Sequence, residues 1–441
     1  MEREDEMQEL SYRKWGLFYK DMSMMLRVIV ATVFMTAAIL MGLLAGLLVG
    51  NVAFAADNCP DFKQDTLSGD WGRSSLCDKG VIVELTHKSD LLVNAAGGAA
   101  RGGVVLMNSE AAVGFDLDKL AGLSGASAFV QYHVQHGNQS INAYTGGFAG
   151  VTNIETGVST GQFYQAWLQQ NFAGDSLSVL AGLYAVDSEF YVTDTSGLFL
   201  QPPYGMSAEM AQTGRNGPPV FPMGALGLRL KYTGDAYYAQ ASVTDGVPGN
   251  PNDPHGTQIR FDQGDGSLAV AEFGYTPETE EGQYDKTAVG LWRYTARAAD
   301  LDPAIPDQRT DQGAYIVAER TLMAEQGNSA QGLSGFVRFG VVNKNVYQAN
   351  WSGSLGLNYQ GLFDGRDDDA AGIAVTNSHA SAKYRLLNAS ESSETVVEMT
   401  YRMQLQSWLA LQPSVQYIVN PNMDPALKDA WVIGFRLEAS F

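Results

Sequence analysis

The side chains able to do covalent chemistry in this chain are not arranged to do it. Its five histidines, His87, His133, His136, His255 and His379, stand apart, without the short spacings that bring ligands together on a metal. No Gly-x-Ser-x-Gly turn, phosphate-binding glycine loop or calcium-binding loop occurs. What the sequence offers is non-covalent. Glu189 and Asp194 sit among Phe190, Tyr191, Leu198, Phe199, Leu200 and Tyr204, and glutamines surround Trp167. Amides and carboxylates match hydroxyl groups, and aromatic rings match apolar CH surfaces. Weak, reversible binding of a small polar molecule needs such groups, because binding must replace part of its hydration and still release it.

Composition narrows what could hold these residues. Lys and Arg number 28 against 48 Asp and Glu, a formal charge of -20, which argues against nucleic acid as a partner. Charged residues make up only 17%, glycines number 48, and the mean hydropathy is -0.12. A bundle of membrane helices would need repeated apolar runs of about 20 residues. A barrel alternating lipid-facing and lumen-facing residues averages to a value of this kind, as does a soluble all-β protein. Cys59 and Cys77 are the only cysteines. In an oxidising compartment they could close one small loop, or they are two independent thiols.

One continuous apolar run extends from Val28 to Gly50, preceded by Arg27 and followed by Asn51-Val52-Ala53-Phe54-Ala55-Ala56. It reads as a Sec-type signal peptide cleaved after Ala55 or Ala56; an uncleaved anchor is the competing reading. Residues 1–21 are acidic and mixed, unlike a signal n-region, so the start is expected at Met22, Met24 or Met25. The domain reading is therefore a signal region at 1–56, a periplasmic segment at 57–80 and a transmembrane barrel at 81–441.

Beyond residue 56 the apolar periodicity is two. Trp431, Ile433, Phe435, Leu437, Ala439 and Phe441 share one face; Gly434, Arg436, Glu438 and Ser440 share the other. Val397, Met399, Tyr401, Met403 and Leu405 likewise oppose Glu398, Thr400, Arg402 and Gln404. This pattern recurs near 81–88, 104–117, 126–135, 163–172, 177–186, 224–233, 237–246, 266–277, 286–296, 313–323, 333–343, 347–361, 369–379, 395–406, 409–421 and 431–441. Short turns at 173–176, 234–236 and 407 alternate with long loops at 136–162, 187–223, 247–265, 297–312 and 380–394. The fold class predicted is an all-β, antiparallel transmembrane barrel of about sixteen strands with both termini periplasmic.

Three stretches then resemble the OprB-type carbohydrate-selective porin family of bacterial outer membranes. They are Leu67-Ser68-Gly69-Asp70-Trp71-Gly72-Arg73, the strand Gln165-Ala166-Trp167-Leu168-Gln169-Gln170, and Ala181-Gly182-Leu183-Tyr184 running on to Leu198-Phe199-Leu200. The first lacks the usual second glycine and spacer before the arginine. The resemblance covers 57–441 and implies a sixteen-stranded outer-membrane porin passing small sugars by passive, facilitated diffusion. Members often carry an arginine facing the channel at the top of the third strand; here Phe129, Gln131, His133 and Gln135 hold that face, followed by His136.

The expected pore-lining residues are Glu189, Asp194, Phe190, Tyr191, Trp167, Gln135, His136, Arg229, Arg338 and Arg402. The loop 187–223 is expected to fold inward and narrow the channel, since its apolar run has no partner outside. The three arginines form a basic ladder opposite its acids, or else pair with Glu398 and Glu438. No cofactor and no enzymatic activity are expected. Partners expected are membrane lipids or lipopolysaccharide, sugars as solutes, the outer-membrane assembly machinery reading Phe441, and two further copies in a homotrimer. The alternatives are a non-selective or cation-preferring porin, a structural barrel binding a partner, and a lipase-like barrel enzyme, for which no exposed Ser–His pair stands out. Arginine at Phe435 or Met403 should block insertion, whereas arginine at Gly434 or Gln404 should be tolerated. N-terminal sequencing of membrane-extracted protein should begin near Ala56, and unheated protein should migrate faster in electrophoresis than boiled protein.

Overall fold

The computed structural model describes Cys59, Phe62 and residues 64–441 apart from 138 and 156. The signal segment read at 1–56 lies outside the described residues. Sixteen antiparallel strands close into a barrel in which each pairs with its sequence neighbours and the last pairs with the first. They are β1 (Val81–Gly98), β2 (Gly102–Asp116), β3 (Ala126–Gly137), β4 (Thr160–Phe172), β5 (Leu177–Tyr184), β6 (Ala225–Thr233), β7 (Tyr237–Asp245) and β8 (Ser267–Tyr275). The second half comprises β9 (Asp285–Ala298), β10 (Arg309–Glu325), β11 (Asn328–Val342), β12 (Ala349–Gln360), β13 (Ala370–Ala380), β14 (Ser393–Gln406), β15 (Leu409–Val419) and β16 (Lys428–Ser440). Closure leaves no unpaired strand edge, the condition for burying backbone polar groups in lipid.

The period-two alternation places one face of each strand outside. On β16, Trp431, Ile433 and Phe435 are exposed while Val432 and Arg436 are buried. The even strand count puts both ends of the barrel chain at one rim, together with the shorter turns, and leaves the 138–159 and 185–224 loops at the other.

Strand β1 runs ten residues past the sequence-predicted end at 88. The reason is visible inside. Leu92 on β1 and Val104 and Leu106 on β2 point inward but are apolar, because Ile141, Val151 and Ile154 of the 138–159 loop pack on them. An apolar residue on both faces erases the alternation that marks a half-wet strand.

The seam between β1 and β16 is held from two sides. Asp90 and Arg436 are register partners and form a buried two-pronged ion pair of 2.7 and 2.9 Å. Below it, the residues preceding β1 cap the terminal strand. Leu67 donates its backbone N–H to Ser440 at 2.9 Å, and buried Arg73 bonds the main-chain oxygen of Phe441, the Thr66 hydroxyl and the Gly69 carbonyl. Phe62 and Trp71 lie under and beside the same guanidinium. Cys59 and Cys77 are joined by a disulfide across this segment.

One expectation about tolerance is corrected here. Gly434 faces inward, but a Cβ there would meet the Leu91 carbonyl at 2.0 Å and Leu92 Cα at 2.9 Å, because β1 crosses it closely. Arginine at Gly434 should therefore break the seam rather than be tolerated. Arginine at the outward residues Phe435 or Leu355 should cost about 2–4 kcal/mol near the bilayer midplane or block insertion. Arginine at inward, half-exposed Thr86 should insert and change only conductance, as read by heat-modifiable mobility and bilayer recording.

Candidate functional site

The segment between β5 and β6 does not project from the rim; it folds back into the barrel. Its base is pinned where Val186 donates to Pro219 at 2.6 Å, and Asp187 accepts from Tyr164 at 3.0 Å and from the Phe221 N–H at 3.1 Å. Burial raises the Asp187 carboxyl above its ordinary range, with these two donors opposing the shift. Val186, Phe190, Tyr191, Met206 and Met210 then pack on wall residues including Leu268, Val270, Trp292, Tyr315 and Val317. Further on, Leu198, Phe199 and Tyr204 pack on Phe336, Ala370 and Ala374. The wall makes room with glycine: a Cβ at Gly340 would strike the Glu209 carboxylate, and one at Gly372 would strike Leu198 and Phe199.

A loop buried in this way must satisfy its backbone donors. The wall supplies carboxylates for the purpose. Glu272 on β8 accepts the Tyr191 N–H at 3.0 Å; Glu319 on β10 accepts the Thr195 N–H and hydroxyl, both at 2.9 Å. Glu398 on β14 takes the Leu200 and Gln201 N–H groups at 2.8 and 3.1 Å. The loop carbonyls are met in turn by Gln240, Lys286 and Gln412 at 2.6–2.7 Å. The 138–159 loop is fastened by the same device, with Glu394 accepting Phe148 and Ala149 N–H groups at 2.6 and 2.8 Å. Both loops also meet, Asn153 N–H to Leu200 carbonyl at 2.6 Å.

These contacts sort the sequence-predicted residues. Phe190 and Tyr191 are buried between the wall and the loop and line no water. Arg338 is buried beneath it, donating to Thr193 at 2.7 Å and to Gly205 and lying 4.7 Å from the Tyr191 ring. Arg402 sits near the turn rim, 3.5 Å from Glu438. Arg229 reaches Glu189 directly at 2.9 Å. The arginines therefore form no ladder: each is consumed by a different partner. His136 is exposed on the outward register beside Met107, so it lies outside the channel. Gln135 points inward but is fully buried, as is His133. Asp194 is exposed inside the barrel.

Phe221 of the inward-folded loop covers His133 and Tyr164 near the loop rim, and the turn-rim side of β2–β6 is left uncovered. There the side chains form one connected track. Gln131 donates to Glu110 at 2.8 Å, Gln165 to Gln131 at 3.1 Å, and Trp167 Nε1 and the exposed Ser188 hydroxyl reach Gln165 Oε1 at 3.3 and 3.4 Å. Gln169 continues it, accepting from Arg229 at 2.7 Å, and Arg229 joins Glu189. Phe129 stacks on Trp167 at 5.4 Å between ring centres. Glu110, Gln131, Trp167, Gln169 and Glu189 are half-buried, with one side left to solvent. Glu110 escaped the sequence reading, as did the anchoring roles of Glu272, Glu319 and Glu394; the only available signal was a lone acid on the inward register of an otherwise small or apolar strand.

A closed sixteen-stranded barrel with an inward-folded loop and a hydrated polar wall is the architecture of an outer-membrane porin. The family model "Carbohydrate-selective porin, OprB family" matches residues 106–441, and the chain belongs to that family. It is similar to Porin B of Pseudomonas aeruginosa, 23% identical with 90% of this chain and 96% of the relative covered. It superposes on the high-pH structure of Pseudomonas putida OprB with a TM-score of 0.78, at 21% identity, over 87% of this chain and all of that one. The outer-membrane channel DcaP of Acinetobacter baumannii is more distant, with a TM-score of 0.50 at 10% identity over 82% of this chain and 97% of that chain.

Carboxylate anchoring predicts a specific failure. Glu398→Gln keeps the shape but weakens two charge-assisted bonds, each worth about 1.5–3 kcal/mol. The substituted barrel should insert and keep its unheated mobility while its single-channel conductance becomes larger and noisier, and Glu398→Leu should exaggerate the effect.

Proposed function

We propose that the chain works as a passive channel for small sugars in the outer membrane, with the Glu110–Gln131–Gln165–Trp167 track as the surface along which they pass. The observation that carries this reading is the track itself. Amide and carboxylate groups are already held in a hydrogen-bonded row beside a stacked aromatic pair, so a hydroxylated solute exchanges water for partners without ordering them. No group there is placed for bond cleavage, and the function proposed is transport without catalysis. The termini and short turns are assigned to the periplasm and the long loops to the cell exterior. Lipid or lipopolysaccharide around the barrel, a homotrimer and recognition of Phe441 by the assembly machinery belong to the same reading.

A cation preference is the second reading, favoured by exposed Asp194 and half-exposed Glu110 with no basic residue on the inward face of β3. Glu189 adds little to it while paired with Arg229. In reconstituted liposomes, Trp167→Ala and Gln131→Leu should each slow swelling in mono- and disaccharides several-fold relative to a neutral amino acid, leaving conductance nearly unchanged. Glu189→Gln should uncover the Arg229 charge and shift the reversal potential toward anions; an unchanged sugar ranking and unchanged selectivity would remove the track from consideration.

A further inference from the structure

The outer face of the barrel is uneven on one side. Across β6 to β11 one cross-strand row of outward residues reads Leu230, Ala241, Ala271, Leu291, Ala314 and Val341. The next row toward the turn rim is bulkier, with Phe273 and Phe339. The small side chains leave an apolar depression of about 990 Å³.

At the loop-side edge of this depression stand Arg293 on β9 and Gln312 on β10, which are register partners and both exposed. Arg320, also on the outer face, is paired with Asp285 at 3.0 Å. Neither Arg293 nor the Gln312 amide has a partner among the described residues. An unpaired guanidinium on a lipid-facing strand is costly unless something anionic meets it. The chain carries a surplus of 20 negative charges, yet it supplies none here.

We propose that this depression binds the phosphorylated glycolipid of the outer leaflet, lipopolysaccharide. The planar guanidinium of Arg293 takes a lipid A phosphate through two parallel hydrogen bonds, and Gln312 donates a third. One acyl chain lies over Ala241, Ala271 and Ala314 and packs against the exposed Leu291 between the last two. This rests on the orientation proposed above, which puts Arg293 in the outer leaflet. Protease added to intact cells, cutting the 246–266 loop, tests that orientation separately.

The full chain in detergent would be titrated with bisphosphorylated lipid A, its dephosphorylated form and phosphatidylglycerol, and bound lipid counted by native mass spectrometry. Retention of lipid A should fall at least about fivefold in Arg293→Gln, the ratio equivalent to about 1 kcal/mol per arginine near a lipid surface. Ala271→Phe, which fills the groove without altering charge, should lower it comparably, and Arg320→Gln should not. Dephosphorylated lipid A should be retained poorly by the parent protein. Parent-like conductance of all three variants establishes that they are folded. Unchanged retention in both Arg293→Gln and Ala271→Phe overturns the proposal, and so does phosphatidylglycerol held as well as lipid A.

Discussion

The shape of this barrel's interior hangs on buried carboxylates of the wall accepting backbone N–H groups of loops that have come inside. A loop in a barrel interior faces two costs: its own amides lose water, and the wall's acids lose theirs. Putting the two together offsets part of both. Glu272, Glu319 and Glu398 lie on β8, β10 and β14, so the 185–224 loop is held at three points around half the circumference. Packing alone would not choose one position, because an apolar surface slides; a carboxylate taking Leu200 and Gln201 together fixes the register of the loop on the wall.

That fixation decides where the channel runs. The loop covers the wall from β7 to β14, and the 138–159 loop covers β1, β2 and β14 to β16. What remains open is the part of the β2–β6 arc toward the turn rim, and there the track is built of glutamines, a tryptophan and a glutamate rather than the tyrosines and alkyl groups found beneath the loops. The two halves of the interior therefore have different compositions for one physical reason: one is a protein core, the other is a wetted wall. Pairing of Glu189 with Arg229 at the boundary offsets one charge with the other on a surface made otherwise largely of neutral amides.

The same closure logic operates at the seam. A barrel is completed only when its first and last strands meet, and here the meeting is enforced by a buried Asp90–Arg436 pair within the sheet and by Arg73 gripping the end of β16 from below. The Gly-Asp-Trp-Gly-Arg stretch, which in sequence looks like a signature without a task, thus acts as a clasp: the turn brings Arg73 and its flanking rings over the terminal strand.

All sixteen strands were legible in the sequence, because a residue that must face lipid and one that must face water alternate with period two, and nothing else imposes that period over 360 residues. The inward habit of the 185–224 loop was legible as well, since Phe190, Tyr191, Leu198 and Phe199 together need a surface to bury against. Where alternation fails, as at Leu92 to Asn94, the strand was cut short, and the failure itself reports a second loop folded inside. Tertiary structure alone decided the rest. Gln135 and Gln131 look alike in sequence and share an inward register, yet one is sealed and the other touches the open track. Arg229, Arg338 and Arg402 share an inward register but meet an acid, a loop backbone and a rim glutamate. Periodicity says which way a side chain points; what it meets there depends on chain well removed in sequence, from 36 residues for Arg402 and Glu438 to 145 for Arg338 and Thr193.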